Sequence, residues 1–243
     1  KTCLDTNGNP LNSCIVGVAD TTPEIMQCPA AKQASDFNNS TYTGGNLAKG
    51  NYAGCWGAGN YDNTADDSGE MTNGVMTSSV HDGIFSEIKL SKTGTDATTS
   101  QGKWKMASNK GATFADMAQD GTTKTMVISE ILGVSSPNDN RGAWYFGGMG
   151  GASYTAKYLP NDFNIDDKIV GCLPGQEPGC VAESTNEANT FALARSEHGA
   201  GVVVGFGDAH VQFVVDDIDL AVWQAMATKQ GASTEVEVNL NDL

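Results

Sequence analysis

Two runs rich in β-branched and aromatic residues stand near the C-terminal end of the chain: Gly201–Phe206 (Gly-Val-Val-Val-Gly-Phe) and residues 210–215 (His-Val-Gln-Phe-Val-Val). Only Gly207, Asp208 and Ala209 lie between them. Such runs favour extended backbone, and so short a gap makes them pair as an antiparallel hairpin. With Gly207 and Asp208 as the central pair, Phe206 faces Ala209, Val204 faces Val211 and Val202 lies opposite Phe213. One face is then wholly apolar, as packing on a core requires. Gly at the first central position suits a type II′ turn. Centring the turn on Asp208 and Ala209 keeps the same faces, so the pattern alone does not choose between the two. Residues 217–228 read as an amphipathic helix with Leu220, Trp223 and Met226 at helical spacing. Asp216 or Asp217 caps its start and Gly231 stops it.

Upstream, residues 125–132 (Thr-Met-Val-Ile-Ser-Glu-Ile-Leu) carry strong strand propensity behind a turn at Asp120 and Gly121. Residues 51–56 and 141–146 read as further strands, and residues 80–90 as a strand broken at Asp82 and Gly83. Residues 112–117 form one helical turn. Residues 60–74 are polar and acidic, a surface loop. Residues 91–110 are an exposed excursion, and residues 152–190 are long and irregular. No repeat or linker divides the chain, so residues 1–243 form one globular α+β domain: an antiparallel sheet, long stapled loops and a hairpin-plus-helix.

Against 14 Lys+Arg stand 29 Asp+Glu, a formal charge of −15. That balance excludes nucleic acid, whose phosphates demand clustered cations, and disfavours an anionic membrane surface. Cations or neutral molecules are the natural small partners. The six Cys include no C-x-x-C pair, and three His give little support to zinc. Cys3 with Cys14, and Cys172 with Cys180, bracket turn-forming inserts; each disulfide would stabilise by roughly 2–3 kcal/mol. Cys28 with Cys55 is the pairing left over. Paired cysteines point to an extracellular or cell-surface setting. Asn38 and Asn39 begin overlapping N-x-Ser/Thr sequons, glycosylation acceptors in such a setting. The chain opens at Lys1 without Met, which reads as a processed or truncated product.

Ala194, Arg195, Ser196, Glu197 and His198, then Asp208 nine residues on, Val211-Gln-Phe213, Asp217-Ile-Asp-Leu220, Trp223-Gln-Ala and Thr228-Lys-Gln-Gly231 form a distinctive block. It resembles the C-terminal signature of the prepilin-type, processing-associated H-x9-D-G family, also called domain of unknown function 1559. Residues 120–130, from Asp120-Gly121 to Glu130, are similar to that family's D-G-T segment ending in Gly-Glu. Cys28-Pro29 resembles its C-P-S, and Asn51-Tyr52 with Trp56-Gly57 its N-Y motif. The resemblance implies a pilin-like head whose N-terminal stalk helix is missing from this chain, with membrane contact only through that helix. It implies a structural subunit that self-associates into filaments or surface appendages, with His198, Asp208, Asp120, Gly121, Glu130 and Trp223 as scaffold residues. Ala209 departs from the family's Gly after the Asp, and Gly207 could supply the lost backbone freedom one residue earlier.

Ser196, His198 and Asp208 carry the letters of a hydrolase triad, yet no G-x-S-x-G elbow occurs, so no catalytic residue and no enzyme activity are expected. His198, Asp208 and His210 could converge on a transition metal at the hairpin, a weaker reading than turn bracing. Calcium is the better-founded ion. Asp5, Asn7 and Asn9 alternate oxygen ligands around a Gly, without the distal Glu of an EF-hand, and Asp162, Asn164 and Asp166 form a second oxygen-rich loop. Residues 147–151 lack the Lys-Ser/Thr of a phosphate loop and read as a flexible turn. Trp104, in the polar excursion, is the exposed aromatic that would serve the competing class, a carbohydrate- or solute-binding module on the same scaffold.

Overall fold

The computed structural model describes residues 19–38, 46–61, 71–72, 75–76, 83–85, 89–93, 103–108, 113–118, 121–183 and 189–229. Strands are β1 (Tyr52–Cys55), β2 (Met71–Thr72), β3 (Val75–Met76), β4 (Lys89–Thr93), β5 (Lys103–Ser108), β6 (Met126–Glu130), β7 (Ser153–Tyr154), β8 (Asp167–Ile169), β9 (Cys180–Ala182), β10 (Gly201–Phe206) and β11 (Val211–Val215). Helices are α1 (Phe114–Ala118) and α2 (Leu220–Met226), with a single 3-10 turn at Glu24–Met26. The architecture is mostly β with some helix, an α+β arrangement at the coarse level.

The main sheet runs β11-β10-β6-β1-β7. Its first four strands are antiparallel, but β7 lies parallel to β1, with Gly54 beside Ser153 and Cys55 beside Tyr154. The sheet is therefore mixed, not purely antiparallel, and β8 with β9 adds a second parallel pair. Alternation sends Ala53, Cys55, Ser129, Val202, Val204, Phe206 and Val214 to one face, where α2 covers them through Val222, Trp223 and Met226. Trp223 is fully buried and its indole N–H donates to the Tyr158 carbonyl at 3.0 Å.

The hairpin forms, but in neither expected register. Gly205 pairs with Val211, Val203 with Phe213 and Val202 with Val214. The tip is a three-residue loop, closed by the Phe206 N–H donating to the His210 carbonyl at 3.0 Å. One added tip residue slips the register by one and turns every side chain of β11 over. Val211, Phe213 and Val215 thus face outward and Val214 enters the core. The left-handed residue this loop requires is Ala209, at φ 70°; Gly207 is not among the positive-φ glycines. Ala209 holds the conformation that the family's Gly would adopt without strain.

Other elements depart from the sequence reading for local reasons. Asp219, not Asp216 or Asp217, caps α2, its carboxylate accepting from the N–H groups of Ala221 and Val222 at 2.8 and 3.2 Å. Residues 91–110 contain most of a hairpin, three of the five residues of β4 and all of β5, in which Trp104 pairs with Lys92. Residues 60–74 contribute to a two-residue ladder, β2 with β3. Residues 141–146 form turns, not a strand, because Arg141 is drawn into the interior.

That residue organises the irregular region. Arg141 donates through Nε and Nη2 to Asp139 at 2.9 and 2.8 Å, and through Nη1 to Asp167 at 3.2 Å. The same Nη1 also donates to the carbonyls of Pro178 and Gly179. Arg195 reaches the other Asp167 oxygen at 3.3 Å. Two cations and two carboxylates therefore neutralise one another, all fully buried or nearly so. The Cys172–Cys180 disulfide forms as expected and closes the loop beside them.

Candidate functional site

Three segments distant in sequence meet beside the outer face of β6. Glu130 is the last residue of β6; its position there opposite Tyr52 of β1 turns its carboxylate away from the core. Cys28 follows the 3-10 turn, and Asn51 pins it by accepting the Cys28 N–H at 3.1 Å while donating to the Ile131 carbonyl at 3.5 Å. His198 lies in the loop leading into β10. Its N–H donates to the Ser196 hydroxyl at 2.8 Å, and the Ser196 N–H donates to Asn161 at 2.8 Å.

The Cys28 Sγ stands 3.4 Å from His198 Nε2, and that nitrogen stands 3.3 Å from Glu130 Oε1. All three donor atoms lie within 4.8 Å of one another, and among the described residues no other group of three His, Cys, Asp or Glu side chains is so gathered. The Cys28 and Glu130 side chains are buried, while His198 is 36% exposed and gives the cluster its opening to water. The second Glu130 oxygen accepts the Val203 N–H at 2.8 Å. Burial pushes the Cys28 thiol above its ordinary pKa, and Glu130 adds to the rise. Burial likewise raises Tyr52, whose hydroxyl adjoins Cys28 and Glu130.

Cys28 and Cys55 do not pair: both thiols are free and buried. Cys55 points to the core face of β1, where burial drives its pKa to about 11, whereas Cys28 sits against the opposite face with Tyr52 and Glu130. The sheet itself separates them. Cys3 and Cys14 lie outside the described residues, as do Asp5, Asn7, Asn9, Asn39 and Asp120.

Asp208 does not join His198. It caps the hairpin tip, accepting the His210 N–H at 3.1 Å and pairing with the His210 ring, and these bonds hold its carboxyl below the usual range. His210 stacks on Phe206 at 4.4 Å. Ser196 spends its hydroxyl on the His198 backbone, so Ser196 and His198 share one turn while Asp208 serves another at the hairpin tip. Gly121 takes φ 98° in the turn before β6, against which the hairpin tip rests through the Asp208 N–H to the Thr122 carbonyl.

The loop holding Asp162, Asn164 and Asp166 is closed internally. Asp162 accepts from the backbone and side chain of Asn164 at 3.0 and 3.1 Å. Its carbonyls at Asp162 and Ile165 accept from Arg195 at 3.0 and 2.6 Å, so the cation facing them belongs to the chain itself. Asn38 is exposed and its side-chain amide donates to Asn46 at 2.7 Å.

A second feature lies on the outer face of the sheet. Ile128, Val211, Phe213 and Val215 are 39, 67, 44 and 40% exposed. They lie close to the strands because small residues sit beside them: a β-carbon at Gly201 would stand 2.6 Å from the Phe213 ring, and one at Gly205 would stand 2.8 Å from Ile128. The result is an apolar patch formed by three residues of β11 and one of β6. This is also the edge strand, and among the described residues its ladder runs to β10 alone.

Fold and site together define a mixed-sheet α+β protein carrying a Cys-Glu-His cluster whose Cys and Glu are buried and whose His is half-exposed. The sequence profile of the family described as "Protein of unknown function (DUF1559)" matches residues 7–221, and the chain belongs to that family. No curated protein and no solved structure matches it. Among the described residues no helix is long and apolar enough to cross a membrane. Cys28, Glu130 and His198 each come from a separate block that carries the family resemblance. That shared chemistry of metal-binding side chains was the one sequence signal for the cluster.

Proposed function

We propose that this protein is a secreted or cell-surface structural subunit, the non-enzymatic globular head of a pilin-like protein, which self-associates through the outer face and edge of β11. The observation that carries this reading is the exposed apolar row of Val211, Phe213 and Val215 on the edge strand β11, which holds no charged residue, with Ile128 of β6 exposed on the same sheet face. Soluble proteins ordinarily blunt such edges with Lys, Pro or bulges, because exposed strand backbone templates pairing with another chain. A second copy offers the same uncharged strand, so the surface complements itself. Membership in the DUF1559 family, and the resemblance to prepilin-type proteins, support the class. The charge of −15 opposes association until salt screens it, which keeps the subunits apart at low ionic strength.

Sedimentation velocity at rising protein and salt concentration tests this. The wild type is expected to shift to larger species as salt rises, while the Val211→Ser/Phe213→Ser double variant stays monomeric with an unchanged circular dichroism spectrum. A wild type that remains monomeric throughout overturns self-association. A double variant that associates like the wild type overturns the assigned surface.

A further inference from the structure

We propose that Cys28, Glu130 and His198 form a binding site for one divalent transition-metal ion, with zinc the best-matched occupant. The first reason is geometric. Zinc bonds of ~2.3 Å to sulfur and ~2.0–2.1 Å to nitrogen or oxygen, at tetrahedral angles, give donor–donor edges of about 3.6 Å for S···N and about 3.3 Å for N···O. The observed edges are 3.4 Å from Cys28 Sγ to His198 Nε2 and 3.3 Å from His198 Nε2 to Glu130 Oε1. A charge-assisted imidazolium–carboxylate hydrogen bond would be drawn in to about 2.7–2.9 Å. The separation fits two ligands around an ion better than a proton shared between them.

The second reason is charge. Glu130 is buried, and among the described residues its ion-pair partner is His198 alone. Its other oxygen is held by a backbone N–H, which carries no full charge. Buried carboxylates without a full counter-charge are costly. A divalent cation bound by the Glu130 carboxylate, the Cys28 thiolate and a neutral His198 imidazole gives zero net charge. Binding releases the Cys28 thiol proton to solvent, together with the His198 proton wherever the imidazole is paired to Glu130 in its charged form.

Donor chemistry selects the class. Thiolate and imidazole suit zinc and its transition-metal neighbours, whereas calcium and magnesium require oxygen ligands throughout. Three protein ligands leave a fourth position for water. The frame is built in advance: Glu130 is fixed by its place in β6 and by the Val203 N–H, Cys28 by Asn51, and the His198 loop by Ser196 and Asn161. Such outer contacts orient ligands and hold the donors near binding geometry without the ion. The bound ion would tie the segment after the 3-10 turn, the end of β6 and the loop before β10 into one brace.

The test uses the full chain, stripped of metal and titrated with Zn²⁺ against a chromophoric chelator, and in parallel with Co²⁺. The wild type is expected to take up one equivalent of each, and the cobalt form to show sulfur-to-metal charge-transfer absorption. Cys28→Ser, nearly isosteric, should lose that absorption; Cys28→Ser and His198→Gln should each weaken uptake by at least ~100-fold, since even outer-contact changes cost 10–100-fold. Cys55→Ser should keep the absorption. Circular dichroism of each metal-free variant confirms that it folds, and Glu130→Gln, which retains an acceptor for the Val203 N–H, substitutes for any variant that does not. No saturable uptake by the wild type, charge-transfer absorption that survives Cys28→Ser, or uptake unchanged in folded ligand variants overturns the assignment.

Discussion

Replacing Arg141 by Met removes the guanidinium from an interior that keeps both of its carboxylates. Five hydrogen bonds go with it: two to Asp139, one to Asp167 and one each to the carbonyls of Pro178 and Gly179. Asp167 retains Arg195 and the Leu193 N–H, so its charge stays compensated. Asp139 loses its paired cation and keeps two backbone N–H groups, the Cys180 sulfur close by and the more distant attraction of the buried Lys49, so it becomes a buried anion with no ion-pair partner in contact. Breaking a buried pair from one side costs about 3–5 kcal/mol. At ~2–4 °C per kcal/mol for a chain of this size, the melting temperature should fall by roughly 6–20 °C. Urea and thermal unfolding followed by circular dichroism measure both quantities. Adding Asp139→Asn to Arg141→Met should return part of the loss, because it removes the orphaned charge while keeping an acceptor. A loss below about 1 kcal/mol, or a double variant weaker than Arg141→Met alone, would refute the claim that charge compensation holds this region together.

Two further outcomes follow from the backbone and from burial. Ala209→Gly should stabilise the protein: a left-handed Ala costs about 1–2 kcal/mol, offset in part by the ~0.4–1 kcal/mol that Gly's freedom adds to the unfolded chain. A rise in melting temperature of about 2–4 °C is expected, and a fall would contradict the strain at the tip. Lys49 is buried with its ammonium group donating to the carbonyls of Val134 and Ser136, and burial lowers its pKa from 10.5 to about 8. Between those values the unfolded chain binds the proton that the folded one has released, so stability rises with pH through this window, by on the order of 3 kcal/mol. Urea midpoints from pH 7 to pH 10 should therefore climb in the wild type relative to Lys49→Met, and parallel profiles would rule out the buried ammonium as the cause.

Much of the frame was legible because it rests on local preference. Residues 126–130 have strand propensity wherever they are placed, and the Leu220, Trp223 and Met226 spacing marks a helix that buries Trp223 and Met226 fully and Leu220 in part. The Cys172–Cys180 staple followed from the turn residues between the two cysteines. The hairpin register was not legible, since it depends on whether the tip holds two residues or three. That choice turns on a positive φ at Ala209, which composition disfavours. The strand reading of residues 141–146 failed for a different reason: side chain alternation carries no sign of two carboxylates waiting in the interior for Arg141. The Cys28, Glu130 and His198 cluster was hidden by distance along the chain, and an even count of cysteines encouraged a pairing that the sheet prevents.

Cys28 and His198 are 170 positions apart, and their meeting encloses most of the polypeptide in a single loop. Closing so large a ring is entropically demanding and comes late, after the intervening strands have shortened the path between its ends. A nascent chain emerging from the ribosome cannot assemble this cluster until His198 has been made. Occupancy of those three side chains by a common partner would thus report that three segments far apart along the chain have been brought together.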